Sequence, residues 1–294
     1  MNPVLNSVLN YGSINIDHVY RVPQLVQPGE TIASTDYRRG SGGKGYNQSI
    51  ALARAGVRVA HAGKVGEDGA FLVDALRAEG VDTAYVDVGD EPTGHAIIQV
   101  DTHGENAIVL HRGANHAITA AEARTRIDAC EPGSWLLLQN EISCLGEILQ
   151  AGLSRGLRVA LNPAPMTDAI AELPLDALSL LIVNAPEGAA LSGEQQSNAI
   201  VDTLHRRLPR TPLVVTLGSA GAYYVDATQR IFEPARVVDA VDTTAAGDTF
   251  VGYLLASLVA GSDPAEALTM ATRAAALSVT RRGAAEAIPV REEL

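Results

Sequence analysis

The chain reads as an α/β protein built on a mostly parallel sheet. Two observations predict it. Short apolar runs at residues 57–65, 85–88, 135–138, 158–161, 180–183 and 213–217 alternate with longer helical stretches at 68–79, 142–155 and 264–280, which is the rhythm of βαβ units. Several of these runs end in polar residues, Gln139-Asn140-Glu141, Asn162 and Asn184 among them, and parallel sheets gather their ligands at the carboxyl ends of strands. With 294 residues, 47% hydrophobic and 19% charged, the composition is that of a globular core. Neither an internal repeat nor a low-complexity linker interrupts it, so residues 1–294 are expected to form one domain.

Taken in order, residues 7–17 read as a buried strand, a Gly12-Ser13 turn and then polar residues. Asn15 and Asp17 lie two apart and share a face if the chain stays extended, although capping of nearby backbone is an equally good use for them. Residues 22–37 are punctuated by Pro and Gly and lack a helical period, giving a loop and an edge strand outside the main sheet. Residues 39–47 follow as a Gly-rich loop feeding a helix at 48–55. Gly40 to Gly45 formally match G-x-G-x-x-G, with Glu67 after the next strand. The dinucleotide fingerprint requires a buried strand directly before its glycines, and Ser-Thr-Asp-Tyr-Arg-Arg at 34–39 is not one. A Walker loop is excluded because Gly45, not Ser or Thr, follows Lys44. Residues 93–100 and 106–111 flank Asp101-Thr102-His103-Gly104-Glu105, whose turn residues predict a hairpin. Gly218-Ser219-Ala220-Gly221 closes the strand at 213–217, and a plain hairpin turn before 223–226 accounts for it equally well.

The densest chemistry lies at residues 239–261. A polar loop, Asp242 to Gly247, runs straight into an apolar helix. Ala245, Ala246 and Gly247 leave the first-turn amides uncovered. Such amides have no partner inside the helix and sit at the positive end of its dipole, which makes an anion site. Asp248 would repel a phosphate, so beside an anion hole it suits a base that strips a proton from an attacking hydroxyl. The competing use is an ordinary N-cap.

Three motifs together resemble the ribokinase-like sugar kinases, the PfkB family. They are Asp242-Thr243-Thr244-Ala245-Ala246-Gly247-Asp248-Thr249-Phe250 for D-T-x-A-A-G-D-T-F, Gly42-Gly43-Lys44-Gly45-Tyr46-Asn47 for G-G-K-G-x-N, and Asn184-Ala185-Pro186-Glu187 for N-x-x-E. The resemblance extends from Gly12 to Pro289. It implies a three-layer α/β/α fold with a small β-sheet lid from residues 17–41 and 93–112. It also implies transfer of the γ-phosphate of ATP to a primary hydroxyl of a small sugar, foremost D-ribose. Asp248 would be the base and Ala245, Ala246 and Gly247 the anion hole. Asn15, Asp17, Gly43, Lys44, Asn47 and Glu141 would hold the sugar, while Asn184, Thr216, Gly218, Ser219, Gly221 and Gly247 would meet the nucleotide. Mg²⁺ is implied near Asn184 and Glu187, largely through water, and K⁺ at Asp242 and Thr244. Ala287 stands where relatives offer a Ser hydroxyl, which implies weaker K⁺ activation, and Tyr46 replaces a small residue of the sugar loop. Fructokinase and nucleoside kinase are the neighbouring readings, and a non-catalytic sugar-binding regulator is the reading from another class. Arg38 and Arg39 would suit a phosphorylated sugar, or are simply solvated charges.

The remaining composition narrows the partners. A net charge of −12 argues against nucleic acid and anionic membrane, and it leaves ATP to be attracted by helix ends, Mg²⁺ and a few cations. Only Lys44 and Lys64 are lysines, and one of them lies in the Gly-rich loop. Cys130 and Cys144 form no metal-type or redox pair and the seven histidines no helical pair, so a reducing cytoplasm without structural zinc is expected. No run of about 18 apolar residues and no secretory leader is read at the amino terminus. A homodimer through the lid completes the expectations drawn from the resemblance.

Overall fold

A computed structural model describes residues 7–294, so the first six residues of the stretch read for a leader lie outside it. In chain order the strands and helices are β1 (Ser7–Tyr11), β2 (Asn15–Arg21), β3 (Asp36–Gly42), α1 (Lys44–Arg54), β4 (Arg58–Gly66), α2 (Ala70–Ala78), β5 (Asp82–Gly89), β6 (Gly94–Val100) and β7 (Asn106–His111). They continue as α3 (Ala120–Asp128), β8 (Trp135–Gln139), α4 (Leu145–Arg155), β9 (Arg158–Asn162), β10 (Leu180–Asn184), α5 (Ala185–Ser192) and α6 (Ser197–Arg207). The last are β11 (Leu213–Thr216), β12 (Gly221–Val225), β13 (Arg230–Pro234), α7 (Ala246–Ala260) and α8 (Pro264–Ser278).

Nine strands form one sheet in the order β13-β12-β11-β10-β9-β8-β1-β4-β5. All neighbours are parallel except β11–β12 and β12–β13. The strands read as unbroken apolar runs because both faces are covered. On β8, Trp135 and Leu137 enter one core with Ile50, Leu72, Leu254 and Leu268, while Leu136 and Leu138 enter the other with Ile127, Ile148, Leu149 and Ile200. Helices α1, α2, α7 and α8 therefore form one outer layer and α3 to α6 the opposite one. This is the three-layer α/β/α arrangement expected. From β1 the chain proceeds to β4 and β5 on one side, then returns to β8 on the other. The crevice above β1 and β8 is thus the topological switch point where α/β sheets place ligands.

Four further strands make a small separate sheet, β3-β2-β6-β7. In it Asn15 and Asp17 share one face, together with Ile108 and Leu110. Three boundaries differ from expectation. A strand does precede the glycines, β3, but it is the exposed edge of the small sheet, so the dinucleotide reading still fails. Helix α1 begins at Lys44, four residues earlier than the pattern suggests, because Gly43 takes the N-cap with φ of 93° and turns the chain directly into the helix. On the opposite side α4 starts later, at Leu145, behind Cys144 with φ of 57°.

Candidate active site

The residues expected to hold a sugar meet where β1, β2, α1 and β8 converge. Gly12 and Gly45 cross at backbone contact: a Cβ on Gly12 would stand 2.6 Å from Gly45 Cα, and one on Gly45 would stand 2.5 Å from Gly12 C. This crossing seats the start of α1 over the end of β1. Lys44, Asn47 and Gln48 are spaced i, i+3 and i+4, so they lie on one face of α1. Tyr46 is off that face and is buried with Ile50 in the core. Glu141, just past β8, accepts hydrogen bonds through Oε2 from Ser13 Oγ at 2.5 Å and from the Lys44 amide at 2.9 Å. Asn115 donates to Asn15 Oδ1 at 2.7 Å and receives the Ile14 amide at 3.0 Å. Asn47 Oδ1 is buried and has no hydrogen-bond partner among the described residues, whereas its Nδ2 donates to Asp248.

Charge is concentrated here. Burial first, and the neighbouring Glu141 carboxylate second, push the Asp17 carboxyl up to about 6. The Asp248 carboxylate pushes the Lys44 ammonium up, which outweighs the opposing effect of burial. Burial raises the Glu187 carboxyl as well, with Lys44 and Asp248 both close enough to contribute. The three motifs separated by two hundred residues of sequence thus share one electrostatic neighbourhood.

Asp248 stands at the third position of α7 and is 7% exposed. Its side chain does not cap its own helix. Oδ2 instead accepts from Asn47 Nδ2 and Oδ1 from Gln48 Nε2, each at 2.9 Å. The N-cap position belongs to Ala245, whose φ of 58° is left-handed, and its carbonyl takes the Thr249 amide at 2.8 Å. The amides of Gly247 and Asp248 have no backbone acceptor among the described residues. A Cβ on Gly247 would meet nothing within 4 Å among the described residues, and Gly247 borders an open space.

The space is a cavity of about 700 Å³. Asn184, Thr216, Gly218, Ser219, Gly221, Ala246 and Gly247 all border it. The turn at 218–221 is therefore both things expected of it, a hairpin connection between antiparallel β11 and β12 and part of the cavity wall. Sequence reasoning missed the loop at 235–240, whose Val237 and Val238 flank the cavity, and Thr272 on α8. Exposed valines in a loop were the available signal. Also missed were Ser13, Asn115, Gln48, Gln139 and Asn10, the buried polar residues around the sugar motifs.

The two ion positions have structural duties of their own. Asn184 and Glu187 form a reciprocal capping box on α5: Asn184 Oδ1 accepts the Glu187 amide at 2.8 Å, and Glu187 Oε2 accepts the Asn184 amide at 2.9 Å. Asp242 Oδ1 accepts from the Thr244 amide at 3.0 Å and its hydroxyl at 2.6 Å, and Oδ2 accepts from the Gly283 amide at 3.0 Å. Burial works against it, yet these hydrogen bonds hold the Asp242 carboxyl below the usual range. No group of three His, Cys, Asp or Glu with metal-binding geometry occurs among the described residues.

Comparison with known proteins agrees with this construction. The model of the pfkB family carbohydrate kinases matches residues 5–291. The ribokinase of Haemophilus influenzae is 37% identical over 292 residues, covering 96% of this chain and 95% of that one. Among solved structures, ribokinase from Cryptococcus neoformans in complex with ADP has 34% identity and a TM-score of 0.84, over 98% of this chain and 100% of that one. Arabidopsis thaliana ribokinase complexed with ribose and ATP has 30% identity and a TM-score of 0.85, over 97% and 96% of the two chains. With a buried carboxylate beside open helix amides, and a family match over nearly the whole length, the chain belongs to the pfkB family of carbohydrate kinases.

Proposed function

We propose that the protein phosphorylates the primary hydroxyl of a small sugar with ATP, and that the sugar is D-ribose, giving ribose 5-phosphate. The setting of Asp248 carries this reading: a buried carboxylate, gripped by Asn47 and Gln48, next to the open Gly247 amide. The ribose ring is held by Asn15, Asp17, Gly43, Lys44, Asn47 and Glu141. Fixing several hydroxyls leaves one oxygen in line with the γ-phosphorus, a source of several kcal/mol (about 7–11 in well-oriented model reactions). Asp248 takes that hydroxyl's proton on a carboxylate lone pair left over from its two hydrogen bonds. The oxygen forms its bond to phosphorus as the bond to the bridging oxygen of ADP breaks. The amides of Gly247 and Asp248 stabilise charge on the transferring group; of the expected anion hole, the Ala246 amide is already bonded to the Thr243 carbonyl at 3.3 Å.

The nucleotide lies in the cavity bordered by Thr216, Gly218, Ser219 and Gly221, with its triphosphate directed at Gly247. Mg²⁺, when bound, offsets phosphate charge. Glu187 and Asn184 offer it hard oxygen donors, mostly across water, in keeping with an ion that sheds its hydration reluctantly. Asp242 and Thr244 are the groups for a monovalent cation such as K⁺. The Asp242 carboxylate already receives three hydrogen bonds and Ala287 brings no hydroxyl, so activation by K⁺ is expected to stay within about threefold. A K⁺ titration in Na⁺-free buffer that showed strict, tight dependence would contradict this.

The small sheet acts as a lid, residues 17–41 and 93–112, on an otherwise single domain. Ile108 and Leu110, 56% and 45% exposed, extend the Asp17 face with apolar surface, which supports a homodimer through the lid. Half-buried free thiols at Cys130 and Cys144 suit the reducing cytoplasm. No described helix is long and apolar enough to cross a membrane.

The test pairs two measurements on Asp248→Asn. Calorimetric ribose binding should persist, while ADP release in a coupled assay with ribose should fall by about 10³-fold or more. Near-normal turnover sinks the reading. A panel of fructose, nucleosides and a phosphorylated pentose decides the acceptor; the last belongs there because Arg38 shares the Asp17 face, whereas Arg39 stacks on Phe71 at 4.2 Å.

A further inference from the structure

Beneath the proposed substrate groups runs a chain of buried side-chain amides that meets the site only at Asp248. Gln48 Nε2 donates to Asp248 Oδ1 at 2.9 Å and to Asn162 Oδ1 at 3.1 Å. Gln48 Oε1 accepts from Gln139 Nε2 at 2.7 Å, and the same nitrogen donates to Asn10 Oδ1 at 2.9 Å. Asn10 Nδ2 donates to the Gly45 carbonyl at 2.7 Å and to Ser49 Oγ at 2.8 Å. Ser49 Oγ lies 2.8 Å from His61 Nδ1, and His61 Nε2 lies 3.2 Å from the Gly12 carbonyl. Asn10, Gln48, Ser49, His61 and Gln139 are all 0% exposed.

The direction of every bond in this chain is fixed by its ends. The carbonyls of Gly12, Gly45 and Ile182, the last receiving Asn162 Nδ2 at 3.1 Å, only accept. Burial lowers the His61 imidazole to about 4, so it is neutral at pH 7. Its single N–H must serve the Gly12 carbonyl, which leaves Nδ1 to receive the Ser49 hydroxyl. The Ser49 oxygen then receives Asn10 Nδ2, which also serves Gly45, so Asn10 presents its oxygen to Gln139. Gln139 in turn presents its NH₂ to Gln48 Oε1, and Gln48 is left with its NH₂ toward Asp248. A reversed Gln139 would set its oxygen against those of both Asn10 and Gln48. It holds its orientation even though Gln139 Oε1 has no partner. A reversed Gln48 would set a carbonyl against the Asp248 carboxylate.

We propose that Gln48 is a positioning residue for the catalytic base, and that Gln139 acts through it by fixing which end of the Gln48 amide faces Asp248. This rests on Asp248 being the base. Both glutamines are 0% exposed and so present no surface to a substrate; their loss should appear in turnover and not in substrate affinity. A low-dielectric setting makes such an oriented amide consequential, and equally makes a reversed one costly.

The experiment measures kcat and KM for ribose and ATP in Gln48→Met, Gln139→Glu and the double variant, with rates referred to folded protein by circular dichroism. Gln48→Met should lower kcat about 30-fold with both KM values within about threefold. Gln139→Glu replaces the donor facing Gln48 by an acceptor, favours the reversed amide, and should lower kcat by a similar factor. The double variant should be no slower than Gln48→Met, since Gln139 has no effect once its relay is gone. If Gln139→Glu does not fold, Gln139→Met removes the donor without adding charge and should show the same direction and the same non-additivity. Losses of kcat that multiply in the double variant, or kcat within twofold of wild type in Gln48→Met, overturn the proposal. Asp248→Asn run alongside separates the two readings: an active Asp248→Asn removes the base assignment, whereas an inactive one beside an active Gln48→Met removes only the positioning role.

Discussion

The two halves of the site are made of different material. On the sugar side, side chains hold one another: Glu141 is fastened to Ser13 and the Lys44 amide, Asn15 to Asn115, and Asp248 to Asn47 and Gln48. On the other side, proposed for the nucleotide, the wall is mostly small and apolar residues with a few separate polar ones, Thr216, Ser219, Arg236 and Thr272 among them, and Gly247 borders the cavity. The sugar half spends its hydrogen-bonding capacity in advance and so arrives stiff and aligned. The nucleotide half as proposed relies on shape and on a helix end, a device that recognises phosphate rather than the base. Acceptor selectivity should accordingly reside in side chains, and phosphate affinity in backbone.

Gly247→Ala is the sharpest way to break this contrast. The added methyl meets no protein atom, and Ala is the better helix residue by up to ~1 kcal/mol. Stability should therefore hold or rise, yet a methyl in the phosphate cradle should lower kcat/KM for ATP by about 10²-fold, as loss of one anion-hole donor does. Thermal melts together with ATP-dependent kinetics check both; calorimetric ribose affinity should not move. Equal damage to ribose binding would mean that the halves are not independent.

A smaller effect sharpens the other half. Asp17 is held at about 6 by burial and by Glu141. Ionised, it accepts from sugar hydroxyls; protonated, it loses part of that capacity. The KM for ribose should thus climb about tenfold as the pH falls from 8 to 5, and in Asp17→Asn it should be high and flat. The stability linkage has the opposite sense. A carboxyl raised above its unfolded value contributes its stability below pH 4 and loses it as pH rises through 6, on the order of 3 kcal/mol. Asp17→Asn should therefore melt higher than the parent at pH 8, and equal melting temperatures would show that the ionised carboxylate carries no such cost.

The smallest expected change is at Ala245. A left-handed alanine costs about 1 kcal/mol relative to glycine. Ala245→Gly should raise the melting temperature by roughly 2 °C with turnover inside a factor of two. A large drop in turnover would give the methyl group of Ala245 a part in the reaction beyond that of a spacer.

How much of this was legible in the sequence depends on whether a residue's job is local. Asp248 and the Ala245-Ala246-Gly247 run could be read because a helix start with bare amides is a property of consecutive residues. The three layers could be read because strands buried on both faces leave long apolar runs. Gln48 and Gln139 could not, since their partners lie 200 and 91 residues away. The visible trace is only a glutamine closing Trp-Leu-Leu-Leu-Gln and another after Asn47. Asn184 and Glu187 illustrate the reverse limit. The family resemblance implies an ion site there, and the same three-residue interval is also the spacing of a capping box, which is what their side chains form.

The crossing of Gly12 over Gly45 restricts how the enzyme could be re-engineered. At each position the first added carbon collides with main chain, so a substitution at one cannot be rescued by changing the other, and libraries randomised there should return glycine alone. Laboratory adaptation to bulkier acceptors would have to proceed through the β2–β6 sheet or the segment after β8, where side chains border the sugar and can be exchanged without moving a helix.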